Sequence, residues 1–292
     1  MTQTSAPLCI DAALKYGREV LAKAGVASAA LDARVLLGAA TGLSAEHLIL
    51  RGDAALDAEA GTTFRRFVDA RACGKPVSRI VGYREFWGLS LRVTSDTLDP
   101  RPDTETLVNA VVARAGHEMR PYIRDLGTGS GAILLALLTA LPAARGLGSD
   151  LSFGAVTTAR ANAQAVGLSD RASFLMSDWG LVPARLADIV VSNPPYIARG
   201  ELPGLMREVR AHDPVRALDG GRDGLEPYRR IAGQVPLIAR PGALLAFEIG
   251  PAQARDVTAI LAAAGASIRG RGLGVVRDLA GRPRVVVARA GR

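Results

Sequence analysis

Apolar and small side chains recur every three or four positions through the first 75 residues. Ile10, Ala13, Leu14, Gly17, Val20, Leu21 and Ala24 form one such stripe, and Gly25 stops it. Ser28 stands where it can cap a second helix carrying Leu31, Val35, Leu36 and Leu37, which ends near Gly42. Ser44, with Glu46 in the first turn, opens a third helix. A fourth runs from about Asp57 through Phe64, Phe67 and Val68 to Gly74. Four short amphipathic helices with small linkers predict a bundle over residues 1–75. After Lys75-Pro76 the pattern changes. Residues 77–95 carry the alternation Leu89, Leu91, Val93 and two glycines, so 76–100 reads as a hairpin linker. Pro100-Arg101-Pro102 then breaks the chain, and Asp103-Thr104-Glu105-Thr106 opens a helix at the start of a third segment, 101–292.

From about residue 121 strands and helices alternate. YIRDLG, RGLGSD, ASFLMS, ADIVVS, ALLAFEIG and RVVVAR read as strands, and AILLALLTAL and the stretch through Asn162 as helices between them. This alternation predicts an α/β domain with a mainly parallel sheet covered on both faces and ligands at the carboxyl ends of its strands.

Composition mostly excludes. The 292 residues suit two domains, and 49% apolar content supports a sizeable core rather than disorder. Cys9 and Cys73 are the only cysteines, too few for a disulfide-stapled secreted domain. His47, His117 and His212 lie far apart and no CxxC occurs, so no metal site is expected. No apolar run reaches the roughly 20 residues of a membrane span. The start MTQTSAPLCID lacks the basic and apolar regions of a signal peptide, so a cytoplasmic location is expected. A net charge of +8 raises a nucleic-acid partner as a question. Lys15, Lys23 and Lys75 are the only lysines among 36 cations, however, and an arginine excess beside abundant alanine can come from codon usage alone.

Chemistry concentrates at two strand ends. Asp125-Leu126-Gly127-Thr128-Gly129-Ser130-Gly131 closes one strand and opens a helix, where glycines let the chain turn tightly and let a ligand approach the backbone. Asp150 ends the next strand, 19 residues beyond Gly131, and its two oxygens suit two ribose hydroxyls. The spacing Gly127-x-Gly129-x-x-Ala132 also satisfies the dinucleotide fingerprint. Asp125 tilts the choice, because a carboxylate there is awkward beside a pyrophosphate but suits a cationic methionyl ligand such as S-adenosylmethionine.

Ser192-Asn193-Pro194-Pro195-Tyr196 follows the strand 187–191. The two prolines stiffen the loop, so that the Asn193 side-chain carbonyl and the Pro194 main-chain carbonyl face one point as two acceptors. A planar NH2 group offers two donors to such a pair, and Tyr196 offers a flat face. An amide or aromatic amino nitrogen is a poor nucleophile because its lone pair is delocalised. Two acceptors on its hydrogens would orient it toward a methyl sulfonium and favour positive charge developing on it. In-line proximity supplies much of the rest, and no strong general base is needed.

DLGTGSG and SNPPY, together with KPVSRIVGYREFWGLSLRV, LDPRPDTETLV, SDWG, EVRAHDPVRALDGGRDGLEPYRRI, FEIGPAQ and VRDLAGRPRVVVAR, resemble the protein-(glutamine-N5) methyltransferases that modify peptide release factors. The resemblance covers nearly the whole chain, and PRPDTE and DPVRALDGGRDGL are its more specific parts. It implies a Rossmann-like class I methyltransferase domain, with a mixed, mainly parallel seven-stranded sheet, behind a small helical bundle and a hairpin linker. It implies that Gly127, Thr128, Gly129, Ser130 and Gly131 wrap the methionine part of S-adenosyl-L-methionine, that Asp150 binds its ribose, and that Trp179 with Asp178 lies along the adenine. Asn193 would lie beside the sulfonium and, with Pro194, Pro195 and Tyr196, hold the acceptor glutamine of a Gly-Gly-Gln loop in a class I release factor. S-adenosyl-L-homocysteine is then the product. The implied partner is a release factor gripped with help from the bundle, with no stable nucleic acid, no membrane and a monomeric enzyme. Arg79, Asp99 and Phe153-Gly154 depart from the family pattern outside the chemical motifs.

Four other readings use parts of the same pattern, the weakest being a non-catalytic binding module, because both halves of the reactive site are intact. One is methylation of an exocyclic amino group in DNA or RNA. Against it, aromatics are 4% of the chain and arginines such as Arg65, Arg66, Arg207, Arg210, Arg229 and Arg230 are scattered. A ribosomal-protein glutamine is a second acceptor. A nicotinamide-dependent oxidoreductase is the third, and it leaves NPPY unexplained.

Overall fold

A computed structural model describes residues 9–115, 120–180, 185–268, 270 and 272–291. The chain divides at Gly82/Tyr83 into two compact units. His117 and the first eight residues, on which the metal and signal-peptide expectations partly rested, lie outside the described residues.

Among the described residues the first unit contains five helices: α1 (Ile10–Lys23), α2 (Ala29–Thr41), α3 (Ala45–Leu50), α4 (Ala58–Ala72) and α5 (Val77–Val81). Asp57 caps α4 by accepting from Ala60 N at 2.7 Å, and Ser44 caps α3 by accepting from His47 N at 3.3 Å. Gly17 lets α1 and α4 cross closely, since a Cβ there would stand 2.6 Å from the Phe64 ring. Two expectations change. The inward face of α2 is Ala29, Asp32, Ala33, Leu36 and Leu37, whereas Leu31 and Val35 are exposed. Asp32 takes the buried stripe because Arg71 of α4 reaches it at 2.6 Å. Ser28 stands at the N-cap position but donates to Asp32 at 2.8 Å instead of capping the backbone.

Residues 77–81 are helical, not the first strand of a hairpin. Pro76 begins that turn and Gly82, at φ +83°, ends it. The hairpin belongs to the second unit as β1 (Tyr83–Phe86) and β2 (Leu89–Arg92), paired antiparallel with Phe86 opposite Leu89. Its two-residue loop has Trp87 and Gly88 both at positive φ, +53° and +70°, the twist that two-residue hairpins require.

A 3-10 turn (Pro102–Thr104) leads into α6 (Glu105–Val112). Then follow β3 (Tyr122–Leu126), α7 (Ala132–Ala140), β4 (Arg145–Asp150), α8 (Phe153–Ala165), β5 (Ala172–Met176), β6 (Ala187–Ser192) and α9 (Arg207–His212). The chain continues as α10 (Glu226–Ile238), β7 (Ala239–Glu248), α11 (Ala254–Ala263), β8 (Gly274–Arg277) and β9 (Pro283–Arg289). The sheet order is β5-β4-β3-β6-β7-β9-β8, with β3 to β7 parallel and β9 antiparallel to both its neighbours, β7 and β8. β8 is the seventh strand, absent from the six that apolar runs reveal. One sheet face packs on Leu107, Val111, Leu134 and Leu138, and the other on Tyr228, Ile231, Val235 and Leu261. Burial on both faces explains why the parallel strands read as continuous apolar runs.

Strand order reverses between β3 and β6, since β4 and β5 lie on one side of β3 and β6 starts the other. A crevice at the carboxyl ends of these two strands is the topological consequence.

Candidate active site

The β3–β6 register sets Leu126 opposite Ser192, so the glycine turn and Asn193 leave the sheet side by side. Ser192 Oγ donates to Leu126 O at 2.6 Å and locks the two strand ends together. Gly127, Gly129 and Gly131 take φ of +73°, +56° and +83°, left-handed values that disfavour any side chain. Gly127 N and Thr128 N donate to Ser149 O at 2.8 and 2.9 Å, which folds the turn back onto β4. Asn162 of α8 buttresses it, donating to Ser130 O at 2.9 Å and to Arg92 O at 3.0 Å while accepting from Arg92 N at 2.8 Å.

Asp150 accepts Gly129 N at 2.9 Å on one oxygen and Ser152 N at 2.9 Å on the other. Each carboxylate oxygen keeps a further lone pair for a hydroxyl, and the residue lines the cavity. Burial raises its pKa, against those two amide bonds. Asp125 is fully buried behind the turn, where Thr128 Oγ1 donates to it at 2.7 Å. Burial pushes its carboxyl up to about 7, and the Asp150 charge adds to the rise while the Thr128 bond opposes it.

The cavity encloses about 350 Å³. Gly127 to Ser130, Asp150, Asp178, Trp179, Asn193 and Pro195 line it. Gly131, Pro194 and Tyr196 do not. Gly131 turns into the fold, where a Cβ would meet Ala159 at 3.2 Å and Leu135 and Phe174 at 3.3 Å. Pro194 is buried. The Tyr196 ring packs with the core of the α10 side, and burial raises its phenol pKa.

Trp179 holds a left-handed φ of +60°, and a Cβ on Gly127 would lie 3.3 Å from its ring. Backbone strain of this kind persists only where neighbours over-determine it. Gly180 supplies them: its carbonyl accepts from buried Arg124 at 2.9 Å, and its N–H donates to Gln234 at 2.9 Å. Asp178 is half exposed and pairs with Arg230.

Several cavity residues carried no role in the sequence reading, although PRPDTE and DPVRALDGG stood out there. Arg101 pairs with buried Asp213 at 2.6 Å. Arg284, nearly buried, reaches Asp103 at 2.9 Å. Asn193 Nδ2 donates to Thr104 Oγ1 at 3.3 Å, and burial pushes the nearby Glu248 carboxyl up to about 7. Arg216 and Asp96 pair at 3.4 Å at the mouth. Gly154, a departure from the family pattern, has a reason here: a Cβ would stand 2.3 Å from Asp96 Oδ2.

Among the described residues no group of three or more His, Cys, Asp or Glu could hold a metal, and no helix is long and apolar enough to cross a membrane.

Residues 12–82 match the profile of the PrmC N-terminal domain, and residues 96–209 that of the methyltransferase small domain. The chain is 45% identical over 282 residues to the release factor glutamine methyltransferase of Rhodospirillum rubrum, spanning 97% of this chain and 85% of that protein. It is 45% identical over 276 residues to the protein of the same name from Bradyrhizobium diazoefficiens, spanning 92% of this chain and 91% of that one. In fold it resembles a methyltransferase from Pyrococcus furiosus, with a TM-score of 0.50, 13% identity, and coverage of 70% of this chain and 90% of that one.

Proposed function

The chain belongs to the family of release factor glutamine methyltransferases, and from that premise we propose that it methylates the side-chain amide nitrogen of the Gly-Gly-Gln glutamine in class I peptide release factors. S-adenosyl-L-methionine supplies the electrophilic methyl group, leaving as S-adenosyl-L-homocysteine. The observation that carries this reading is the Leu126–Ser192 register, which sets an amide-binding Asn193 beside a glycine cradle. The cradle fits the cofactor's backbone approach, because its glycines hold φ values that side chains rarely adopt. Asp150 fits a ribose, with lone pairs left after its two amide bonds.

In this reading Asn193 Oδ1 and the Pro194 carbonyl accept the two hydrogens of the glutamine NH2. That geometry points the nitrogen lone pair away from the acceptors and raises electron density on the nitrogen as it becomes cationic. Trp179 walls the adenine. Once the new N–C bond forms, the nitrogen carries an extra proton, which is lost to solvent from an acidic protonated amide without a dedicated base. The bundle of residues 1–75 serves as the docking element for the release factor, and the enzyme acts as a monomer in the cytoplasm, without nucleic acid or membrane.

The test is transfer of a labelled methyl group, with release factors, ribosomal proteins and nucleic acids as competing acceptors. Labelling confined to release factors, and lost when the acceptor glutamine is replaced, is the expected result. Equal labelling of the glutamine-free factor, or of DNA or RNA, overturns the reading.

A further inference from the structure

The two prolines of NPPY fix φ at their own positions but leave ψ free, and ψ is what aims the Pro194 carbonyl. Neither proline has an N–H, so neither can be tied down by donating a hydrogen bond. The strand side of the motif is anchored, because Ser192 Oγ donates to Leu126 O at 2.6 Å. An acceptor that must be held to within about 0.5 Å needs an anchor on the far side of the prolines as well.

We propose that Gln253 is a positioning residue for the acceptor pocket: its side-chain NH2 ties the carbonyl of Tyr196 to that of Gly224, and so holds the Pro194 carbonyl at the angle that takes the glutamine amide; this rests on the amide-binding reading above. Gln253, the last residue of FEIGPAQ, donates from Nε2 to Tyr196 O at 2.9 Å and to Gly224 O at 3.1 Å. Its Oε1 accepts from Gly250 N at 3.0 Å. Two acceptors at one end and a donor at the other leave the amide one orientation, with both protons of its NH2 in use. The residue stands at the N-cap of α11, where a shorter Ser, Thr, Asp or Asn is usual, yet its side chain makes no cap bond. Its polar groups serve the loops instead of the helix.

The joint is close-packed around that amide. A Cβ on Gly224, which holds φ +73°, would collide with Tyr196 O and stand 2.7 Å from Gln253 Nε2. One on Gly250 would stand 2.9 Å from Gln253 Oε1 and 3.3 Å from the Tyr196 ring. The chain beyond is zipped to the same neighbouring loop: Ile197 N donates to Leu218 O at 3.2 Å, and Gly220 N to Ile197 O at 2.8 Å. Those bonds begin at Ile197, whereas Gln253 grips Tyr196, nearer the Pro194 carbonyl. Gly220 and Gly221 line the cavity with Asn193 and Pro195, so the same joint ties two cavity walls together.

Two substitutions of similar shape test the joint in the full chain. Gln253→Glu keeps the acceptor for Gly250 N but turns an oxygen toward two carbonyls, and Gln253→Met keeps the length without the polarity. With two hydrogen bonds lost at the loop, kcat on a release factor should fall about tenfold or more in both. Calorimetric Kd for S-adenosylmethionine should stay within about twofold, because Asp150 and the glycine turn are held on β3 and β4; one site per chain shows that each variant is folded. Gly224→Ala pushes on the same carbonyl from the other side. It should lower kcat similarly, and its combination with Q253E should cost less than the product of the two separate losses. The proposal is overturned if Q253M turns over at the wild-type rate, if cofactor affinity falls in step with kcat, or if the two losses multiply. Should the wild type label an amino group of nucleic acid in place of glutamine, the functional reading fails. The kcat of Q253E and Q253M on that acceptor still decides the joint, because any NH2 acceptor meets the same Pro194 carbonyl.

Discussion

Asp125 offers a way to weigh a buried charge. Its side chain is inaccessible to solvent, and its carboxyl is pushed from 3.8 up to about 7. At 1.36 kcal/mol for each tenfold change in proton affinity, that rise corresponds to roughly 4 kcal/mol of preference for the neutral form in the folded state. The unfolded chain ionises near pH 4, whereas the folded chain holds its proton until about pH 7. Between those values the folded state binds more protons, so this group makes stability fall as pH rises. Asp125→Asn removes the titration yet keeps an oxygen for the Thr128 hydroxyl. The variant should match the wild type below about pH 4 and be more stable by roughly 4 kcal/mol at pH 8. Urea unfolding followed by tryptophan fluorescence reads this directly, because Trp87 and Trp179 both lie in the second unit with Asp125. Other titrating groups, Glu248 included, are common to both proteins and cancel in the difference. A difference that does not change with pH would refute the argument. Function adds a second readout. A cationic ligand bound at the turn favours ionised Asp125, so wild-type affinity for S-adenosylmethionine should increase through about pH 7, and the variant should lose that slope.

Three further outcomes follow from local geometry. Gly148→Ala would put a Cβ 2.6 Å from Phe174 and 2.7 Å from Thr128 Oγ1, so urea unfolding should show a loss of roughly 1–3 kcal/mol. Asn193→Ala should cut methyl transfer about 100-fold or more while calorimetric cofactor affinity stays within about twofold; a variant that only weakens cofactor binding would remove Asn193 from the chemistry. Gln234→Leu strips the Gly180 N–H of its acceptor, so it should cost roughly 1–3 kcal/mol and weaken cofactor binding, with kcat at saturation retained.

Where the sequence was legible, burial on both faces of the sheet made it so. ADIVVS and ALLAFEIG stand out because nothing polar is needed on either side of a central strand. Gly274–Arg277 lacks that signature: its burial alternates between half-buried and exposed, and it lies at the sheet edge beside β9. Residues 77–81 fall outside the Leu89, Leu91, Val93 alternation that marks the hairpin, and their boundary residues Pro76 and Gly82 carry the helical information. On α2 the apolar residues Leu31 and Val35 suggested a face rotated from the true one. An aspartate does not read as core until its partner Arg71, 39 residues away, is known. For α2 the missing quantity was a contact between elements, which no local pattern contains.

The active site divides along the same line. Gly127 to Ser130, Asp150 and Asn193 were legible because backbone geometry and strand ends constrain which residues can stand there, and the strand-order reversal brings them together. Tyr196 sits partly buried, its ring packing against the core of the α10 side, a contact that the sequence around the two prolines does not contain. Glu248 is a buried carboxylate at the end of the apolar strand ALLAFEIG. Moving such a group out of water without a donor costs several kcal/mol, so a strand of that kind implies a donor arriving from elsewhere in the fold. Arg124 and Asp125 at the end of β3 make the same demand, and Gly180 O and Thr128 meet it. Charged residues set into the carboxyl ends of buried strands therefore mark where contacts from other elements must arrive, and here those contacts come from Gly180, next to the cavity-lining Trp179, and from the cavity-lining Thr128.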